Sequence, residues 1–252
     1  MTLALVRPPS DALADAVSTH PNAATIDPAR ARRQHRGYVA ALRAVGVEVV
    51  ELPAVADLPD ACFVEDCAVV LGRAALLCRP GVASRAREPE LVREALASHL
   101  DRLVELPDGA TLDGGDVLRL GSRLYVGRSR RTSPAGIDAL ARLAAPRVAV
   151  VPVAVPAGFL HLQTAVTALG PDTLIGVPAA LAMFEPPVRC VPVTPDEHPA
   201  ASVLTIGGHV IMAAGCPQAA IQVRELGYQV HEIDLSEFTK ADGGPTCLSL
   251  RI

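Results

Sequence analysis

Four segments of this 252-residue chain put reactive side chains where an inert core or an ordinary turn has little use for them. The run Leu58-Pro59-Asp60-Ala61-Cys62-Phe63-Val64-Glu65-Asp66-Cys67 drives three carboxylates into an apolar stretch that continues as Ala68-Val69-Val70. A carboxylate at the edge of a core needs a partner, so Asp60, Glu65 and Asp66 outline a pocket for a cationic ligand. Thr111-Leu112-Asp113-Gly114-Gly115-Asp116 sets two Asp around a Gly pair ahead of a strand. Phe159-Leu160-His161-Leu162-Gln163 leaves one His among leucines. Asp242-Gly243-Gly244-Pro245-Thr246-Cys247 opens the last strand with a Cys at the mouth of a loop. Taken singly, these also fit a strand start, a Gly turn, a satisfied core His and inert Cys packing. Taken together they supply a thiol nucleophile, an acid/base partner and an orienting carboxylate beside a site for a cation.

Composition narrows the classes that could use such a site. Half the residues are apolar, enough for a substantial core, and the net charge of −4 argues against nucleic acid as a partner. Trp is absent and aromatics are scarce, so base stacking is not expected either. The first residues lack the pattern of a signal peptide. The longest apolar run, Val148 to Leu160, is interrupted by Pro152 and Pro156 and is too short for a membrane helix. Six cysteines without paired metal-ligand spacing read as thiols of a reducing compartment. A soluble, cytoplasmic, single catalytic domain spanning residues 1–252 is expected, working on a small molecule as a monomer or homodimer.

The elements that must position the four segments repeat along the chain. Proline opens a helical pattern at Pro28, Pro89, Pro134, Pro178 and Pro217, with Asp27 and Ser133 as N-caps of two of them. Tyr38, Ala41, Leu42 and Val45 mark the apolar face of the first helix, and Ile137, Leu140, Ala141 and Ala144 that of the third. The Arg30, Arg32, Arg33, Arg36 cluster reads as a solvated basic face. Each helix leads into a β-branched strand, and hairpin-like pairs precede four of the five. The first helix has no hairpin upstream, but Leu3–Val6 and Cys247–Ile252 are strand-like and unpaired. Pairing them completes a fifth unit, giving an α/β fold of five ββαβ units closed into a ring by the two ends of the chain. A Rossmann domain, the competing α/β architecture, needs a glycine fingerprint that Val6-Arg7-Pro8-Pro9 lacks.

In this order, Leu-Pro-Asp-x-x-Phe-Val-Glu-Asp, Leu-Asp-Gly-Gly-Asp, Leu-His-Leu and Asp-Gly-x-x-Thr-Cys-x-Ser resemble the motifs of the dimethylarginine dimethylaminohydrolases, in the guanidino-group modifying superfamily. The resemblance runs from Leu3 to Ile252 and implies a five-unit ββαβ propeller. It implies Cys247 as nucleophile, His161 as general acid/base and Asp113 as orienting acid. Asp60, Glu65 and Asp66 would bind substrate, Arg85 and Arg131 would hold its α-carboxylate, Leu13 would lie on a flap, and the Ala241 backbone would touch the ligand. No cofactor or metal is implied, although zinc could bind Cys247 with His161 and inhibit. Arginine deiminases of the superfamily carry His-x-Asp, whereas this chain has Gln163, which suits a guanidinium whose end carries methyl groups. The alternatives are a related hydrolase of arginine or N-hydroxyarginine, or a binding protein that has lost catalysis.

Overall fold

The computed structural model describes residues 2–184 and 188–252. The chain begins with β1 (Leu3–Val6), α1 (Pro28–Ala44) and β2 (Glu48–Glu51). Proline occupies the first turn of α1, and the Asp27 carboxylate accepts from the Ala29 and Arg30 N–H groups that the helix leaves free. Ala31, Gln34, His35, Tyr38 and Leu42 form the buried stripe of α1, while Arg30 and Arg32 face solvent and pair with Asp234 and Asp11.

The second unit is β3 (Ala68–Leu71), β4 (Ala74–Leu77), α2 (Glu90–His99) and β5 (Arg102–Glu105). The third is β6 (Val117–Leu120), β7 (Arg123–Arg128), α3 (Pro134–Ala144) and β8 (Ala149–Ala154). The fourth starts with the single turn α4 (Leu162–Ala165), followed by β9 (Val166–Ala168), β10 (Thr173–Gly176), α5 (Pro178–Leu181) and β11 (Arg189–Pro192). The fifth comprises β12 (Leu204–Ile206), β13 (His209–Ala213), α6 (Pro217–Glu225), β14 (Gln229–Ile233) and the short α7 (Ser236–Thr239). The strand β15 (Leu250–Arg251) then returns to β1.

These strands form five three-stranded sheets, β15-β1-β2, β3-β4-β5, β6-β7-β8, β9-β10-β11 and β12-β13-β14. In each, the middle strand runs antiparallel to the first and parallel to the third. The ends of the chain close the set: Leu5 pairs with Leu250, and Leu3 and Ile252 exchange backbone hydrogen bonds of 3.1 and 2.8 Å. Four apolar clusters lie between neighbouring sheets. Leu5 and Leu250 pack with Ala75, Leu77 and Leu96, and Val69 and Leu76 pack with Leu124 and Leu140. Leu118 and Leu120 join Leu174, Ile175 and Val210, while Leu204 and Ile211 join Ala4, Val6 and Leu42. Each sheet thus buries its faces against the next, as a repeat fold requires.

Local details differ from the pattern read in the sequence. Pro89 caps α2 rather than opening it, and α5 is a single turn. The last strand is two residues long, because Cys247 donates its N–H to Gly244 O and the chain turns there. Among the described residues, no helix is long and apolar enough to cross a membrane.

Candidate active site

Because each first strand is antiparallel to its partners, its N-terminal end lies beside the C-terminal ends of the parallel pair, where α/β folds place their sites. The segments singled out above all converge on that end. Glu65 and Asp66 sit on a 3₁₀ turn (Val64–Cys67) ahead of β3, and Gly114–Asp116 form a similar turn ahead of β6. His161 is the N-cap of α4, and Cys247 lies in the turn before β15. Arg85 and Arg131 come from the loops after β4 and β7. Asp113 is completely buried, and Asp60, Glu65, Asp66, Arg85, Arg131, His161 and Cys247 are all buried as well.

The glycine pair explains how the turns approach so closely. A Cβ on Gly114 would collide with the Glu65 carbonyl oxygen. One on Gly115 would lie 2.9 Å from Asp66 Oδ1 and 3.0 Å from His161 Nδ1. Instead, the Gly115 N–H donates to Asp66 Oδ1 at 2.8 Å.

His161 sits between two carboxylates. Its Nε2 is 2.9 Å from Asp113 Oδ2, and its Nδ1 is 4.0 Å from Asp66 Oδ1. Burial alone would lower its pKa, but the Asp66 charge and the Asp113 hydrogen bond outweigh burial and raise it to about 9. The imidazolium is therefore the resting form at neutral pH. Asp113 also accepts from Arg131 Nη1 at 3.3 Å and from the Gly81 N–H at 3.1 Å. Burial opposes ionisation of Asp66, yet His161 and Arg85 hold it well below the usual carboxylate range.

Cys247 is in the opposite condition. Burial, followed by the charges of Glu65 and Asp66, pushes its thiol far up, so it rests protonated. Its Sγ is 3.5 Å from the Gly244 N–H and 3.8 Å from Thr246 Oγ1. Its carbonyl accepts from the Glu65 N–H at 3.3 Å, which ties the Cys247 turn to the carboxylate turn.

Arg85 is more committed than the sequence suggests. It donates to Asp66 at 2.6 Å, to Glu88 through Nε and Nη2 at 2.9 and 2.7 Å, and to the Phe63 carbonyl at 3.2 Å. Gln163 points its amide at Glu65 Oε1 and at the Val117 carbonyl, both at 3.0 Å. Asp60 accepts from the Val17 N–H at 3.2 Å, which fastens the segment carrying Leu13 over the site. Leu13 itself is fully buried in one apolar cluster with Phe63, Ala241 and Cys247.

Four further residues shape the site without having been selected from the sequence. Asp116, the second Asp of the Gly-Gly motif, accepts from Leu162 N–H, Thr132 Oγ1 and Ser129 Oγ, so it joins the His161 turn to the Arg131 loop. Its place in the motif was the available signal. Glu88 anchors Arg85 from three residues away, a spacing visible in the chain. Thr246 adjoins the thiol. Asp242 has a positive φ of 56° and accepts from Thr19 N–H at 2.6 Å and Ser18 Oγ at 3.1 Å, a second clasp on the segment that follows Leu13, which no local signal marks. A small pocket of about 90 Å³, bounded by His20, Leu160, Ser202, Asp242 and Gly244, adjoins these loops. Asp66, Asp113 and His161 bring ligand atoms within 4.8 Å of one another, the one metal-capable cluster among the described residues. Those atoms are already engaged with Arg85, Arg131 and each other, and Cys247 is not part of the cluster.

Comparison with known proteins fits this architecture. A family model described as arginine deiminase matches residues 53–200. The chain is 40% identical to an N(G),N(G)-dimethylarginine dimethylaminohydrolase of Streptomyces coelicolor, over 99% of this chain and 96% of that one. It is 31% identical to the protein of the same name from Pseudomonas aeruginosa, over 98% of each. A solved Pseudomonas aeruginosa enzyme of that family, a Cys-to-Ser mutant complexed with citrulline, superposes with a TM-score of 0.92 at 28% identity, covering 99% and 98% of the two chains. The five-unit fold and these matches place the protein among the guanidino-group modifying proteins. Within that superfamily, the chain belongs to the dimethylarginine dimethylaminohydrolase family.

Proposed function

We propose that this protein hydrolyses Nω-methylated L-arginine to L-citrulline and a methylamine through a covalent Cys247 adduct. The observation that carries this reading is a pair of buried carboxylates, Asp60 and Glu65, with no ion-pair partner among the described residues. They border the Cys247 turn and its flap. A ligand with a guanidinium at one end and an ammonium at the other supplies both missing cations, and the amino acid carboxylate finds Arg131, with the remaining Nη1–H of Arg85 beside it.

A guanidinium carbon is a poor electrophile, so a thiolate is the sensible attacker. Burial, with the charges of Glu65 and Asp66, holds the thiol protonated; the substrate cation offsets those charges, so binding itself favours the Cys247 thiolate. His161, already an imidazolium on Asp113, protonates the departing amine and then accepts a proton from the water that attacks the S-alkylthiouronium. Asp113 fixes the imidazole and Asp116 fixes the turn that carries it. Gln163 occupies one Glu65 oxygen with its amide, leaving less carboxylate surface for a guanidinium end than an Asp there would provide. A methylated end loses little by that.

The match to the arginine deiminase model favours one alternative, turnover of unmethylated arginine. A panel of dimethylarginine, monomethylarginine, arginine and N-hydroxyarginine, read by citrulline release, separates them. Methylated substrates are expected to have the higher kcat/KM, and faster turnover of arginine would overturn the specificity.

A further inference from the structure

On the far side of Glu65 lies a cavity of about 570 Å³ that the chemistry above does not use. It is bordered by the first strand of all five sheets, or by residues beside it, and so occupies the axis of the ring. Its inner end is formed by Glu65, Gln163, Gly114 and Thr246. Its other end is formed by residues of the hairpin turns, Gly121, Pro171 and Gly207, all exposed, with Arg119 and Arg251 beside them. The cavity therefore extends from solvent to within one side chain of the nucleophile, since Thr246 precedes Cys247 and the Glu65 N–H bonds to its carbonyl.

The inner end of the cavity is polar, and there the Gln163 amide donates to Glu65 Oε1 at 3.0 Å. Glu65 is 93% buried, and its second oxygen, Oε2, has no hydrogen-bond partner. A buried carboxylate oxygen without a protein donor in the wall of a roomy cavity is a natural acceptor for water. On the opposite side, the flap is fastened by Asp60 to Val17 and by Asp242 to Ser18 and Thr19, and every reacting group beneath it is buried.

We propose that the axial cavity is the route by which the hydrolytic water reaches the covalent intermediate, with Glu65 and Gln163 as its gate. The inference rests on the function proposed above. Substrate enters from the flap side. As the substrate cation binds, the Cys247 thiol gives up its proton to solvent; the thiolate forms the C–S bond and the C–N bond breaks, the amine leaving as a neutral molecule after taking its proton from His161. The S-alkylthiouronium cation then reacts with water: a C–O bond forms, the C–S bond breaks, and the products are citrulline, the free thiol and one proton, which returns to His161. Water is the one reactant of this second half and is far smaller than the substrate. Entry through the axis lets it arrive while the flap stays clasped over the intermediate.

Thr205 offers a test away from the catalytic groups. Thr205 in β12 and its neighbours at alternate positions, Val203 just before the strand and Gly207 just after it, all line the cavity. The series Thr205→Val, Thr205→Leu and Thr205→Phe keeps the volume nearly constant, then narrows the route in steps, so the Leu variant remains informative if Phe disrupts folding. During steady-state turnover of dimethylarginine, acid-quenched samples are analysed by mass spectrometry for the Cys247 adduct, alongside kcat and kcat/KM. Narrowing is expected to lower kcat several-fold and raise the adduct-bound fraction in step, with kcat/KM unchanged because amine loss precedes water attack. The Val variant should match wild type. Unchanged kcat and adduct fraction in the Leu and Phe variants, with wild-type protein active, would overturn the route alone. Absence of citrulline formation by wild-type protein would overturn the hydrolase reading, and the route with it.

Discussion

His161 Nε2 and Asp113 Oδ2 meet at 2.9 Å with both side chains shut away from solvent. That contact fixes which imidazole nitrogen faces the carboxylate and helps keep the ring charged. Asp113→Asn replaces a charge-assisted bond with a neutral amide and relaxes the hold of Arg131 on the same oxygen. The expected result is a fall in kcat of about 10²–10⁴-fold, the usual worth of general acid–base catalysis. A steady-state titration with dimethylarginine measures it, and KM should change far less than kcat.

Cys247→Ser should abolish citrulline formation while leaving ligand binding, because the turn and the carboxylates remain. Isothermal titration with citrulline or dimethylarginine reads binding, and a citrulline assay reads turnover. Cys62, Cys67, Cys78 and Cys216 are buried and Cys190 is exposed. Their Ser variants should keep activity, with stability losses of about 1–3 kcal/mol at the buried positions. Substantial turnover by Cys247→Ser would show that the nucleophile lies elsewhere.

The pH dependence follows from two raised groups. Burial and the neighbouring Asp66 raise Glu65 to about 7, so below that value it is neutral and no longer attracts a cation. His161 is raised to about 9 despite burial, so above that value the acid is lost. The kcat/KM profile should climb through about pH 7 and fall through about pH 9. Glu65→Gln should flatten the acid limb, and Asp113→Asn should move the alkaline limb to lower pH. The stability linked to His161 has the same sign: it is full below the ordinary histidine value and fades as pH rises through about 9.

The two arginines should separate in a stability measurement. Arg85 bridges Asp66 and Glu88 in a fully buried network, so Arg85→Ala leaves two carboxylates uncompensated and should cost about 3–5 kcal/mol. Arg131 touches Asp113 through one longer contact. Arg131→Ala should cost less stability and act mainly on recognition of the amino acid end. Chemical denaturation of both variants, with assays on substrates with and without the α-carboxylate, distinguishes these outcomes.

Much of this was legible in the chain because it is local or motif-borne. Asp27 and Ser133 cap helices through groups two or three residues away, and the five-unit repeat shows in proline and glycine punctuation. Glu65, Asp66, Asp113, His161 and Cys247 stand out because polar residues are costly inside apolar runs. What remained hidden depends on contacts across the ring. Gln163 meets Glu65 98 positions away, and Asp242 reaches the flap across 223. The saturation of Arg85 becomes visible only when Asp66 and Glu88 are seen to converge on it. Cys247 reads as the start of a strand by composition, but the Gly244 turn bond redirects its backbone.

The pairing of β1 with β15 also bears on refolding kinetics. Each sheet but the one that joins the chain ends is formed from residues close in sequence, whereas Cys247 meets Glu65 only when the C-terminal segment returns to close the ring. Contacts of such long range form slowly, after local structure. Helical and strand signals should therefore recover early on dilution from denaturant, and citrulline production late and in a single step. Catalytic activity then works as a clock for closure of the ring.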